Sequence, residues 1–214
     1  RVALVSGAGD ATGGEIAKRF ARGGYIAWMT RRNAEKLQPL IAEIEAEGGL
    51  AYGFASDARK EDQVIALVEE IEANIGEIDV LVFNIGANVP CSILEETARK
   101  YFKIWEMACF GAFLTGREVA KRMVVREHGS IIFTGATAGI RGAANFAAFA
   151  GAKHALRALA QSMARELGPK NIHVAHVVVD GAIDTDFIKD TFPEMYACKE
   201  QDGILNPVHI AENY

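Results

Sequence analysis

Six short apolar runs separated by stretches of helical spacing constrain this chain more than any other feature. The runs are Val2–Ser6, Tyr25–Thr30, Leu50–Ala55, Ile78–Phe83, Ser130–Phe133 and Ile172–Val179. Each is nearly all apolar rather than alternating. A strand of that kind is buried on both faces, the condition of a parallel sheet between two helical layers. His176 interrupts the last run and reads as a hydrogen-bonded core histidine.

The segments between the runs supply the helices. One is expected from about Gly13 to Arg22, stopped by Gly23-Gly24. Asn33 caps a second, in which Leu37, Leu40, Ile41 and Ile44 repeat at three and four before Gly48-Gly49. A third, from Lys60 to Asn74, puts Val64, Leu67, Val68 and Ile71 on one face and ends at Gly76. A long helical stretch fills about 97–127, and another runs from Phe146 to Leu167. With right-handed crossovers this order gives an α/β chain with a Rossmann-type doubly wound parallel sheet in three layers. No linker or repeat divides the 214 residues, so 1–214 is expected to be a single domain.

Composition narrows the function classes. Half of the residues are hydrophobic, enough to fill a core and exclude intrinsic disorder. A net charge of -5 without a basic cluster argues against a nucleic-acid surface. The longest stretch free of charged residues, Val80 to Leu94, falls below the roughly 18 residues of a membrane span. Arg1 to Ser6 lack the pattern of a signal peptide, and without an initiator Met the sequence starts inside a strand. The 3 cysteines show no disulfide or metal-ligand spacing, so a reducing cytoplasm is expected.

Ligands of such sheets sit beyond the carboxyl ends of the strands, where the strand order reverses. The first strand-to-helix turn is Ser6-Gly7-Ala8-Gly9-Asp10-Ala11-Thr12-Gly13-Gly14. A dinucleotide fingerprint of the common kind would need glycine at Thr12; the spacing fits a looser turn set by Gly7, Ala11 and Gly13. Gly7, Ala11, Thr12 and Gly13 are therefore expected to hold a pyrophosphate on free amides at the helix start. The second strand closes with Met29-Thr30-Arg31-Arg32. An acid there would bind ribose hydroxyls, whereas Arg31 and Arg32 suit a 2′-phosphate, favouring NADP(H) over NAD(H). The plainer alternative is that these arginines only solvate a strand end.

From Val2 to Tyr214 the chain resembles the short-chain dehydrogenase/reductase family. Asp57 is similar to its adenine-contacting residue, Asn84-Ile85-Gly86-Ala87 to its N-N-A-G stretch, and Gly129 to Thr134 to its fifth strand. Asp180-Gly181-Ala182-Ile183-Asp184-Thr185 resembles P-G-x-I-x-T, with Asp180 in the proline's place. The resemblance implies cofactor contacts at Asp57, Asn84, Gly86, Thr134, Lys153, Gly181, Ile183 and Thr185. It also implies a homodimer or homotetramer through the helices at about 97–127 and 146–168. The sequence stops early for the family, so a last strand is expected beyond Tyr214.

The family's proton chemistry uses a tyrosine, a lysine four residues on, a serine and an asparagine. Placing Lys153 in the lysine position puts Phe149, Ala136 and Ala108 in the other three. Phenylalanine donates no proton and alanine binds no carbonyl. Lys153 among Phe149, Ala150, Ala152 and Ala155 needs a partner, which cofactor ribose hydroxyls would supply. Lys153 and Thr137 are the catalytic candidates, Thr137 because its hydroxyl adjoins Ala136. Arg141 and Asn145 either bind substrate or cap the next helix, His154 is read as surface, and Tyr196 falls on a lid segment. Two functions remain: an NADP(H)-dependent oxidoreductase acting on a small-molecule carbonyl or alcohol with non-standard proton transfer, or a non-catalytic NADP(H)-binding sensor or scaffold. Fold alone does not choose between them.

Overall fold

The computed structural model describes residues 1–214. Six parallel strands, β1 (Val2–Ser6), β2 (Ile26–Arg31), β3 (Leu50–Ala55), β4 (Ile78–Phe83), β5 (Gly129–Ala136) and β6 (Ile172–Val179), lie in the order β3-β2-β1-β4-β5-β6. Nine α-helices accompany them: α1 (Thr12–Arg22), α2 (Gln38–Ala46), α3 (Glu61–Asn74), α4 (Ala98–Trp105), α5 (Gly111–Arg126), α6 (Ala147–Leu167), and the short α7 (Asp186–Thr191), α8 (Pro193–Tyr196) and α9 (Pro207–Ala211). None is long and apolar enough to cross a membrane.

The central strands behave as their composition demands. Val2, Ala3, Leu4 and Val5 are completely buried, and alternate residues feed opposite faces of the sheet. Leu4, Leu81, Phe133 and Leu156 belong to the core on one side; Val5, Met29, Val82 and Ile16 belong to the core on the other. β1 pairs with both β2 and β4, so the strand order reverses between β1 and β4.

β3 departs from the two-sided reading. It is an edge strand, and Leu50, Tyr52 and Phe54 stay exposed on one face, with the Tyr52 and Phe54 rings tilted against Trp28. The second helix also starts differently. Asn33 caps a 3₁₀ turn at Ala34–Leu37 by accepting from Glu35 N–H at 3.0 Å, and α2 follows with proline in its first turn.

The stretch at 97–127 is not one regular helix. Thr97 caps α4 by accepting from Lys100 N–H, and a π turn at Glu106–Phe110 joins α4 to α5. Phe102 stacks on Trp105, Trp105 on Phe110, and Phe110 packs on Phe113. The middle pair is five residues apart, a spacing that an α-helix directs to different sides. The wider π turn brings Trp105 and Phe110 to 6.1 Å between ring centroids, so one aromatic row runs across the junction.

His176 corrects a further expectation. The residue is half-buried, and its Nε2 is buried without a hydrogen-bond partner. A Cβ on Gly135 would fall 2.4 Å from that nitrogen, so glycine makes room for the imidazole. Burial, together with the charges of Lys153 and Arg157, holds its pKa below the usual value and favours the neutral ring.

Candidate functional site

The ends of β1 to β4 form a crevice of about 280 Å³. Gly7 reverses the chain after β1 with φ +90°, and a Cβ there would meet Ile85 Cγ1 at 2.7 Å. Asn84, on the loop after β4, donates Nδ2–H to the Gly7 carbonyl at 3.2 Å. A Cβ on Gly13 would lie 2.4 Å from that carbonyl and 2.9 Å from Asn84 Nδ2, so α1 can seat on the turn only with glycine here. Gly9 is the opposite case: it lines the crevice, and nothing lies within 4 Å of where its Cβ would point.

Of the residues expected to hold a cofactor, Gly7, Arg31, Arg32, Asp57, Asn84 and Gly86 line this crevice. Ala11, Thr12 and Gly13 stand behind the turn at the start of α1, which no side chain caps. Thr12 is buried, and its Oγ1 has no hydrogen-bond partner.

Sequence reasoning missed Arg59, which shares the crevice. Asp57 Oδ1 accepts from both the main-chain N–H and Nε of Arg59, while Oδ2 accepts from Nη2. The Arg59 side chain is the main cause holding the Asp57 carboxyl below its usual range. Arg59 also lies 3.5 Å from Glu106 in the π turn, which places Met107 on the crevice wall. The available signal was an acid two residues before an arginine, the spacing of an Asx turn.

A second group sits past Gly86, at the ends of β5 and β6. A Cβ on Gly86 would lie 3.4 Å from Lys153 Nζ, which joins the two groups. Lys153 is buried on α6 and donates Nζ–H to the Thr134 carbonyl at 2.8 Å, its one hydrogen bond within the protein. The Phe149 ring centroid is 5.8 Å from the same nitrogen. Burial lowers the ammonium pKa to about 8. On the other side of the strand, Thr134 Oγ1 shares a hydrogen bond with the Tyr214 hydroxyl at 2.8 Å. Burial pushes that phenol up to about 12.

The remaining candidates are placed as follows. Thr137 donates its hydroxyl to Asp180 Oδ1 across the ends of β5 and β6. Gly181 follows β6, Ile183 bridges to Leu205, and Thr185 caps α7 by accepting from Ile188 N–H. Tyr196 donates to Asp184 Oδ1 at 2.7 Å, and Lys199 pairs with Asp184 Oδ2 at 2.7 Å, fixing the segment after β6. Neither Arg141 nor Asn145 caps α6, which starts without a side-chain cap; His154 is exposed.

These residues fit a dinucleotide. The turn offers open space at Gly9, an uncapped helix start and an unpartnered buried hydroxyl at Thr12. Lys153 offers a buried ammonium with donors to spare.

Comparison with known proteins agrees with the geometry. A family model described as short chain dehydrogenase matches residues 1–195. The 2-dehydro-3-deoxy-D-gluconate 5-dehydrogenase of Formosa agariphila is 31% identical over 207 residues, covering 90% of this chain and 78% of that enzyme. A short-chain dehydrogenase from Rhodopseudomonas palustris is 50% identical with a TM-score of 0.79, covering 92% of each chain. An actinorhodin polyketide ketoreductase crystallised with NADPH is 26% identical with a TM-score of 0.90, covering 99% of this chain and 87% of that one.

Proposed function

The chain belongs to the short-chain dehydrogenase family, an oxidoreductase of that type, and from this premise we propose an NADP(H)-dependent enzyme acting on a small-molecule carbonyl or alcohol. Its proton route, in this reading, does not run through a tyrosine at position 149. The observation that carries the proposal is Lys153, a buried ammonium between Gly86 and Phe149 with a single protein acceptor.

The Gly7 to Gly13 turn would hold the pyrophosphate with main-chain amides, Asp57 and Arg59 would border the adenine, and Arg31 and Arg32 would face the 2′-phosphate. Lys153 would bind the nicotinamide ribose, and Gly181, Ile183 and Thr185, on the segment that follows β6, would hold the nicotinamide. When bound, the nicotinamide supplies or accepts the hydride. Phe149 takes no part in proton transfer, so Lys153 is the ionisable group placed to hold a proton there, at Nζ. Its pKa near 8 suits exchange at neutral pH. Thr137 Oγ1, whose proton goes to Asp180, would accept from a substrate hydroxyl, the only role left to it while that bond is made. The NADPH-bound ketoreductase supports the choice of cofactor by likeness of fold.

The aromatic row on α4 and α5 supports assembly through these helices into a dimer or tetramer. Tyr101, Phe102 and Phe113 are exposed there, an apolar stripe larger than scattered surface residues require.

Turnover of NADPH on a panel of aldehydes, ketones and secondary alcohols tests the reading. Wild type should turn over at least one class and Lys153→Ala should lose that activity. Cofactor binding without turnover on any carbonyl, combined with activity gained by Phe149→Tyr, would favour a sensor instead.

A further inference from the structure

We propose that Asp10 sets the strength of discrimination between 2′-phosphorylated and unphosphorylated cofactors, by holding Arg31 in an ion pair that the 2′-phosphate must displace. The inference rests on the NADP(H) reading above and deepens it.

Three guanidinium groups, Arg31, Arg32 and Arg59, line the crevice, and they differ in what they already hold. Arg59 grips Asp57 through Nε and Nη2 and lies beside Glu106; both it and Asp57 are only 19% exposed. That cluster ties the loop after β3 to the π turn, so Arg59 is committed to the protein. Arg32 forms no ion pair and is exposed. Arg31 is intermediate: Nη1 is 2.8 Å from Asp10 Oδ1, with a weaker 3.5 Å contact to the Lys36 carbonyl.

The Asp10 side chain is 87% exposed, so its pair with Arg31 is bathed in water and exchanges readily. Its position matters more than its strength. Asp10 follows Gly9 on the phosphate-facing turn, and its carboxylate reaches across to the last residue of β2. A phosphate entering beside Arg31 therefore meets two obstacles in one residue: a competitor for the guanidinium and a like charge at close range. A cofactor ending in a free ribose hydroxyl meets neither. Asp10 thus weighs chiefly on the 2′-phosphate, and Arg32 carries most of its recognition while Arg31 is held.

Calorimetric titration of the full chain with NADPH, NADH, adenosine 2′,5′-bisphosphate and 5′-AMP tests this. The variants are Asp10→Ala, Asp10→Asn, Arg31→Met and Asp10→Ala combined with Arg31→Met. Asp10→Ala should tighten the two 2′-phosphorylated ligands about fivefold and change the other two by less than about twofold, the scale of an exposed pair plus a removed like charge. Asp10→Asn keeps the shape of the turn and should reproduce the gain, which shrinks at about 0.5 M salt through screening. In the Arg31→Met background the gain should fall to about twofold, since only the relieved like charge remains and no captive guanidinium is left to be released.

Equal changes for ligands with and without the 2′-phosphate would overturn the inference, as would a full gain surviving in the Arg31→Met background. Wild type that prefers NADPH while both Asp10 variants leave every affinity unmoved would remove this inference and keep the NADP(H) reading. Wild type that binds none of the four ligands would remove both.

Discussion

Lys153 donates Nζ–H to the main-chain carbonyl of Thr134 at 2.8 Å, tying the first half of α6 to the end of β5 across an otherwise apolar contact. The charge is fully enclosed, and the fold bears its desolvation. Folding therefore lowers this ammonium from 10.5 to about 8. Below about pH 8 both folded and unfolded chains are protonated and the cost is present in full. Between about 8 and 10.5 the unfolded chain binds more protons, so stability rises with pH. Tyr214 acts in reverse: its phenol moves from 10.0 to about 12, so its contribution is lost as pH climbs through that range.

Lys153→Met should remove the rising limb. At neutral pH it should stabilise the cofactor-free protein by roughly 2 kcal/mol, the relieved desolvation of roughly 3 kcal/mol less the lost hydrogen bond. Urea unfolding at several pH values between 7 and 10 checks this. Parallel profiles for wild type and variant would show that the ammonium is not the source.

Phe149→Tyr should place a phenol one helical turn from Lys153, on the same face of α6. With the nearby ammonium lowering the phenol pKa, kcat on an accepted carbonyl should rise by about tenfold to a hundredfold, within the range of a positioned general acid. Cofactor affinity should stay within about twofold, since the tyrosine adds no ribose contact. Steady-state kinetics together with cofactor titration separate the two effects.

Gly9 and Gly13 should fail in different ways. Gly13→Ala forces a Cβ to 2.4 Å from the Gly7 carbonyl, a clash with rigid backbone that should cost about 2 kcal/mol or more. The Cβ of Gly9→Val meets nothing in the protein, so its melting temperature should stay near that of wild type. The new side chain would nonetheless fill the phosphate turn and weaken NADPH and NADH alike, by about tenfold or more. Thermal melts with and without cofactor distinguish a folding defect from a binding defect.

The sheet was legible in the sequence because buried parallel strands impose long apolar runs, and the six strands lie within a few residues of those runs. β5 runs on past Phe133 to Ala136 because pairing with β6 continues there, a fact about the neighbour rather than the segment. The π turn was not legible, since an i,i+5 aromatic pair has meaning only once the helix around it is known. At the site, glycine spacing pointed to Gly7 and Gly13, whose steric demands are local. Arg59 escaped because its place depends on Asp57 and on Glu106, which is far along the chain. The Asp10–Arg31 pair escaped for the same reason: the two residues are 21 apart and meet only when β1 and β2 align.

The aromatic row makes a separate forecast about assembly. Phe102 is 59% exposed and stacks on Trp105, so it stands at the outer end of the row. Phe102→Glu combined with Phe113→Glu should convert a dimer or tetramer to monomer at micromolar concentration in size-exclusion chromatography, since a charge in an apolar interface core is costly. A wild-type chain that elutes as a monomer at that concentration would refute pairing through this face.

The most direct test of the central claim is a calorimetric titration of NADPH and NADH into the wild-type chain and an Arg31→Ala, Arg32→Ala double variant. Wild type should bind NADPH about tenfold or more tighter than NADH, and the double variant should lose most of that difference while holding NADH to within about threefold. Equal affinity for both cofactors in wild type, or equal losses in the variant, would contradict the account.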